Sequence, residues 1–118
     1  MKYFHSININ EAKKIKVYLD DERTEPKGWI RTYWPQEVIE LLKTNTVSEI
    51  SLDHDLGDDS HGTGYDVILW IEEQVFTGSA KESGFIPPKM SVHSANSSAR
   101  KKMEQAITVI NKKVKSNK

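Results

Sequence analysis

Lys14-Ile15-Lys16-Val17-Tyr18-Leu19-Asp20-Asp21 alternates for six residues and then stops on two adjacent carboxylates. Ile15, Val17 and Leu19 share one face, and Lys14, Lys16 and Tyr18 the other. That is the period of a strand covered well on one side only. A second run, Glu49-Ile50-Ser51-Leu52-Asp53-His54-Asp55-Leu56-Gly57, has the same form: apolar alternation, then acids at Asp53 and Asp55. Carboxylates gathered at strand ends cost the fold, because like charges repel and lose hydration. In an open α/β sheet that edge is also where ligands bind. A divalent cation, and with it a phosphate, is the occupant that offsets the cost.

Working outward, residues 22–28 with Pro26 read as a loop, and Trp29-Ile30-Arg31-Thr32-Tyr33 as a short strand. Pro35 suits a first helical position, and Val38, Ile39, Leu41 and Leu42 make a helical stripe. Thr63 and Asp66 have the spacing of a capping box, with Asp in place of Glu. The helix that follows carries Val67, Ile68, Ile71 and Val75, with Trp70 and Phe76 broadening that face. Met90, Val92 and Ser94 alternate with Ser91 and His93 in a further strand. From about Ser97 a long helix has Met103, Ala106, Ile107, Ile110 and Val114 as its apolar stripe. Strands alternating with helices predict a parallel sheet of about four strands joined by right-handed crossovers. Period 2 groups Tyr18, Asp20, Ser51, Asp53, Ser91 and His93 on one polar face. Residues 1–13 read as a loose arm, 14–112 as the α/β domain and 113–118 as a basic tail.

With 118 residues, 36% hydrophobic and 29% charged, the chain suits a single globular domain rather than a disordered one. The absence of cysteine excludes disulfides and thiolate metal sites. No apolar run reaches the roughly 18 residues of a membrane span, and no signal-peptide pattern opens the chain, so a cytoplasmic location is expected. Net charge is zero but unevenly spread: residues 1–80 carry 8 basic and 15 acidic side chains, residues 81–118 carry 9 basic and 2 acidic. The acidic part holds the suspected cation site, and the basic part suits a phosphorylated ligand. For Lys112, Lys113, Lys115 and Lys118 a solvated helix face and tail is the preferred reading.

Hard oxygen ligands at Asp20, Asp21, Asp53 and Asp55 suit Mg²⁺ or Mn²⁺. An EF-hand over Asp53 to Gly64 fails, because Gly57 and Gly64 stand where ligands belong. His93 follows the last strand, where an imidazole can act as general acid or base; a hydrogen-bonded structural histidine is the competing reading. His54 lies between two acids, as a ligand-facing group or a salt-bridged turn residue. Ser94 offers a hydroxyl to a phosphate oxygen. Asn96, Ser97 and Ser98 are good helix caps, yet Arg100, Lys101 and Lys102 crowd the first turn. Cations there oppose the helix dipole unless an anion binds at the free N–H groups. Arg100 is accordingly read as a phosphate contact, against the alternative that all three bases point to water.

Leu19-Asp20-Asp21, Leu52-Asp53 and Ser94-Ala95 resemble receiver domains of response regulators. The resemblance implies Asp20 and Asp21 as Mg²⁺ ligands, Asp53 as a phosphoryl acceptor and Ser94 as its hydroxyl contact. The chain differs in having a loop for the first helix, no fifth strand, and no lysine assignable to phosphate binding. It is more closely similar to the cyclic-phosphate-processing receiver domain family. Leu19-Asp20-Asp21-Glu22-Arg23, Gly28-Trp29, residues 51–57, Gly64-Tyr65-Asp66 and His93-Ser94-Ala95-Asn96 carry that likeness across about residues 15–110. What it implies is a receiver-like (flavodoxin-like) α/β sandwich, three-layered or partly two-layered, and a metal-dependent phosphoesterase acting on cyclic nucleotides or 2′,3′-cyclic RNA ends. In that reading Asp53, His93 and His54 are catalytic, Asp20, Asp21, Asp53 and Asp55 hold Mg²⁺ or Mn²⁺, and Ser94, Asn96, Arg100 and Arg23 bind the phosphate. The partner is a phosphate-containing small molecule or an RNA end, with no membrane. Two alternatives are a stand-alone phosphoacceptor and a non-catalytic module binding a nucleotide or partner.

Overall fold

The structure, a computed structural model, describes residues 15–57, 59–78 and 82–116. The expected arm, Lys14 at the head of the first expected strand, and the last two residues of the expected tail lie outside the described residues. Four strands form one sheet: β1 (Ile15–Leu19), β2 (Ile30–Thr32), β3 (Val47–Leu52) and β4 (Lys89–Val92). Their order is β2-β1-β3-β4 and all three pairings are parallel. The β1–β2 connection is a loop with no helix, as the Pro26-bearing stretch indicates.

Among the described residues three long α-helices pack against the sheet: α1 (Pro35–Lys43), α2 (Gly64–Phe76) and α3 (Ser97–Ser116). Each start has a local chemical cause. Pro35 opens α1, and Glu37 Oε1 accepts the N–H groups of Tyr33 and Trp34, both at 2.9 Å. Thr63 and Asp66 close a reciprocal capping box at α2: Thr63 accepts from the Tyr65 N–H and Asp66 from the Thr63 N–H. Asn96 caps α3 by accepting the Ala99 N–H at 3.1 Å. The last helix continues four residues beyond the boundary expected at residue 112, and Val114 packs against the core.

All three helices bury their apolar stripes in one cluster with Val17, Leu19, Ile50 and Leu52. Val38 and Leu42 come from α1, Val67, Ile68, Ile71 and Val75 from α2, and Met103, Ile107 and Ile110 from α3. Phe76, expected on this face, is instead exposed, with the Lys113 ammonium over its ring. Among the described residues the arrangement is therefore two layers, helices on one sheet face. The other face carries Tyr18, Ser51 and Ser91, which the register sets side by side. This explains the alternating strands: in a sheet with helices on both faces they would read as continuous apolar runs.

Register positions the site. Leu19 pairs with Thr32 and Leu52, and Leu52 with Val92, so the strands end in one row. The next residues extend the ladder, Asp20 N–H to Thr32 O, Asp53 N–H to Leu19 O and His93 N–H to Leu52 O, at 3.0 to 3.1 Å. Asp20, Asp53 and His93 thus stand abreast, each one residue past the end of β1, β3 or β4.

Candidate metal and phosphate site

All four acids singled out in the sequence line one open cleft of about 280 Å³ at the carboxyl edge of the sheet. Asp20, Asp21, Asp53 and Asp55 share it with Glu22, Arg23, Gly57 and Ala95. One carboxylate oxygen from each of Asp20 and Asp53 and one ring nitrogen of His93 lie within 4.8 Å of one another. A cation can be held there.

Asp20 is the most enclosed acid, with only 1% of its surface exposed. Its Oδ1 accepts the N–H groups of Glu22 and Arg23, both at 2.8 Å, and its Oδ2 lies 3.0 Å from His93 Nε2. Burial pushes this carboxyl upward, but the N–H groups of Arg23 and Glu22, together with His93, outweigh it and hold Asp20 below the usual carboxylate range. Asp53 moves the other way. Burial raises it, and the neighbouring Asp20 charge raises it further, against weaker opposition from the His54 N–H, His93 and the Ser94 hydroxyl. One carboxylate is thus stabilised in ionised form while its neighbour is not, which marks the cleft as short of positive charge. The Arg23 guanidinium, half exposed and 4.0 Å from Asp20, offsets this only in part. Oxygen donors with uncompensated charge fit Mg²⁺ or Mn²⁺.

The remaining predicted residues sort clearly. Ser94 is buried; its hydroxyl helps to lower the Asp53 carboxyl slightly and accepts the Asn96 N–H at 3.1 Å. Asn96, besides capping α3, donates its amide to Asp55 at 3.4 Å. Arg23 lines the cleft and donates from Nη1 to the His93 carbonyl at 2.7 Å. His54 does not line the cleft, but its Nδ1 lies 2.8 Å from Asp55 Oδ1, while its Nε2 has no hydrogen-bond partner among the described residues. His93, read as an acid–base group, has both ring nitrogens engaged, Nε2 with Asp20 and Nδ1 with Ser51 Oγ at 2.7 Å. Burial lowers its affinity for a proton, only partly countered by Asp20.

Arg100 is not brought to the cleft. Its exposed guanidinium lies 3.6 Å from Glu104, one turn along α3, so the base tolerated near the helix start is matched by an acid of the same helix.

Three contributions were not assigned from sequence. Ser51 anchors the His93 ring; its placement on the polar face was legible, its partner was not. Gly64 lets α2 start against the end of β3: a Cβ there would fall 1.8 Å from the Asp53 carbonyl oxygen. Gly57, in the left-handed region at φ +83°, has the Asp21 carboxylate 3.0 Å from where its Cβ would stand.

A four-stranded parallel sheet with helices and an acidic carboxyl edge defines a small receiver-like α/β domain. Its acids sit at the ends of the first and third strands, and a hydroxyl follows the fourth. A family model described as the cyclic-phosphate processing receiver domain matches residues 15–109, and the chain belongs to that family. Neither the curated proteins nor the solved structures compared with the chain include a match. No helix among the described residues is long and apolar enough to cross a membrane.

Proposed function

We propose that this domain is a metal-dependent phosphoesterase that opens cyclic phosphates, those of cyclic nucleotides or of 2′,3′-cyclic RNA ends. The observation that carries the reading is one cleft lined by Asp20, Asp21, Asp53 and Asp55, in a chain of the cyclic-phosphate processing family. Those four residues would hold Mg²⁺ or Mn²⁺, which when bound offsets phosphate charge and acidifies a water.

The chain's own groups handle the ester. Arg23 and the Ser94 hydroxyl hold non-bridging phosphate oxygens, and the Asn96 amide keeps Asp55 in place. Water gives up one proton as its oxygen adds to phosphorus, the bond to one ring oxygen breaks, and that ring oxygen takes up a proton in exchange. His54 is the histidine suited to carry that proton: Asp55 accepts from its Nδ1–H, so the neutral ring has a lone pair at Nε2 that takes the proton up and passes it on.

The test is a screen of cyclic nucleotides and cyclic-ended RNA with Mg²⁺ or Mn²⁺. Turnover is expected for at least one substrate, with loss in Asp53→Asn and under chelation; inactivity across the panel refutes the reading. A second reading, Asp53 as phosphoacceptor, draws on the Ser94 hydroxyl against that carboxylate. It requires an added phosphoryl mass on Asp53 after treatment with Mg²⁺ and acetyl phosphate.

A further inference from the structure

Neighbouring parallel strands lie roughly 4.8 Å apart, so β1 and β4, flanking β3, are about twice that distance from each other. Asp20 follows β1 and His93 follows β4, yet His93 Nε2 reaches Asp20 Oδ2 at 3.0 Å. The imidazole spans the middle strand, and it does so over Ser51, a side chain small enough to lie beneath it. Four contacts hold the ring and its backbone. Ser51 Oγ lies 2.7 Å from Nδ1, and Asp20 meets Nε2. The Tyr18 ring stacks on the imidazole with centroids 4.3 Å apart and planes 3° from parallel. Arg23 Nη1 donates to the His93 carbonyl at 2.7 Å.

The direction of each hydrogen bond follows from donor and acceptor types. An ionised carboxylate only accepts, so the Nε2 that meets Asp20 carries the hydrogen. In the neutral ring Nδ1 is then a lone pair, and the Ser51 hydroxyl is its donor. A nitrogen whose hydrogen points at Asp20 has no lone pair to offer a cation. Asp20 itself has about four lone-pair sites, of which Glu22 N–H, Arg23 N–H and His93 Nε2–H take three. The remaining site is on Oδ2, the oxygen on the His93 side.

We propose that His93 and Ser51 are positioning residues that hold Asp20 as a one-oxygen ligand, and that the His93 ring stays outside the coordination shell of the cation. This rests on the reading that the acidic cleft holds a divalent cation. It assigns His93 to orienting a metal ligand, a role known to alter metal affinity when removed, rather than to proton transfer with substrate.

Mn²⁺ is the probe. Pulsed electron paramagnetic resonance of the Mn²⁺-loaded wild-type protein is expected to lack the ¹⁴N coupling of a directly bound imidazole. Calorimetric titration is expected to show Mn²⁺ affinity reduced about 10- to 100-fold in His93→Ala, with a smaller reduction in Ser51→Ala. His93→Gln, which keeps an N–H donor for Asp20, is expected to recover most of the loss. Nitrogen-15 spectra of the wild-type imidazole are expected to report the tautomer protonated at Nε2. Direct nitrogen coupling overturns this inference while leaving the cation reading intact, and so does a folded His93→Ala protein that binds Mn²⁺ as tightly as wild type. Absence of any Mn²⁺ binding by the wild-type protein instead removes the cation reading, and this inference with it.

Discussion

Replacing Gly64 by alanine sets helix propensity directly against space. Gly64 is the first residue of α2, and its φ is not among the positive ones, so glycine's conformational freedom is not what the position needs. On propensity alone, Gly64→Ala in a helix is worth up to about 1 kcal/mol of added stability. The surroundings predict the opposite sign. The new Cβ would lie 1.8 Å from the Asp53 carbonyl oxygen, 2.9 Å from the Asp53 carbonyl carbon and 3.2 Å from Met103 Cε. Ordinary contact begins near 3.4 Å, so α2 and the end of β3 must part by about 1.6 Å in a close-packed interior. Neither side yields cheaply. The Asp53 N–H is tied to Leu19 O, and the Gly64 N–H to His54 O at 3.3 Å. Overpacking costs typically ~1–3 kcal/mol, and a clash between two backbones belongs at or above the top of that range. We expect urea unfolding to show a loss of about 3 kcal/mol or more, a fall in Tm of roughly 12 °C or more for a domain of this size. Because Asp53 carries the displacement, calorimetry is expected to show weakened Mn²⁺ binding as well. A Gly64→Ala protein as stable as wild type, or more so, would refute the reasoning and leave propensity as the governing effect.

Other outcomes follow from the same geometry. Asp53→Asn is expected to stabilise the metal-free protein at neutral pH. Folding raises the Asp53 pKa through burial and the Asp20 charge, so ionised Asp53 costs stability above its folded pKa, and that cost disappears as pH falls below the unfolded value near 3.8. Thermal melts of the two proteins should therefore converge in acid and separate at pH 7, and the variant should lose the Mn²⁺-induced rise in Tm; a less stable variant at pH 7 contradicts the sign. Asp20, with its folded pKa lowered, works oppositely, contributing stability above its unfolded value that is lost as pH falls through the folded one. Gly57→Ala must place a side chain at φ +83° and against the Asp21 carboxylate, and a stability loss of about 1–2 kcal/mol with weaker Mn²⁺ binding is expected in denaturation and calorimetry. Arg100→Ala should leave turnover within about twofold, since the guanidinium pairs with Glu104 in a surface contact worth under ~1 kcal/mol; a large loss would show that Arg100 reaches the substrate.

Much of this protein is legible along the chain because the deciding signals are local. Alternation in Ile15–Leu19 and Glu49–Leu52 marks strands with one apolar and one polar face, and the described helices pack in one cluster on the apolar one. The stripes Val67-Ile68-Ile71-Val75 and Met103-Ile107-Ile110 mark core-facing helices, and the Thr63–Asp66 pair marks a helix start. Acids placed immediately after strands must lie at the carboxyl edge of a parallel sheet, so Asp20, Asp21, Asp53 and Asp55 share a cleft as soon as β1 and β3 are neighbours.

Tertiary structure decided which partner each side chain takes. Nothing in the spacing of residues 20, 51 and 93 says that an imidazole from β4 crosses β3 to reach β1; that depends on the order β2-β1-β3-β4 and on a small residue at position 51. Arg100 had two readings by sequence, a phosphate contact at the helix start or a base pointing to water, and the folded helix turns its exposed side chain toward Glu104 instead of the cleft. The need for glycine at position 64 arises from an approach between α2 and the end of β3, which no local pattern encodes. Periodicity and capping act between residues a few positions apart and are written in the chain. Contacts across strands depend on which elements become neighbours, and only folding settles that.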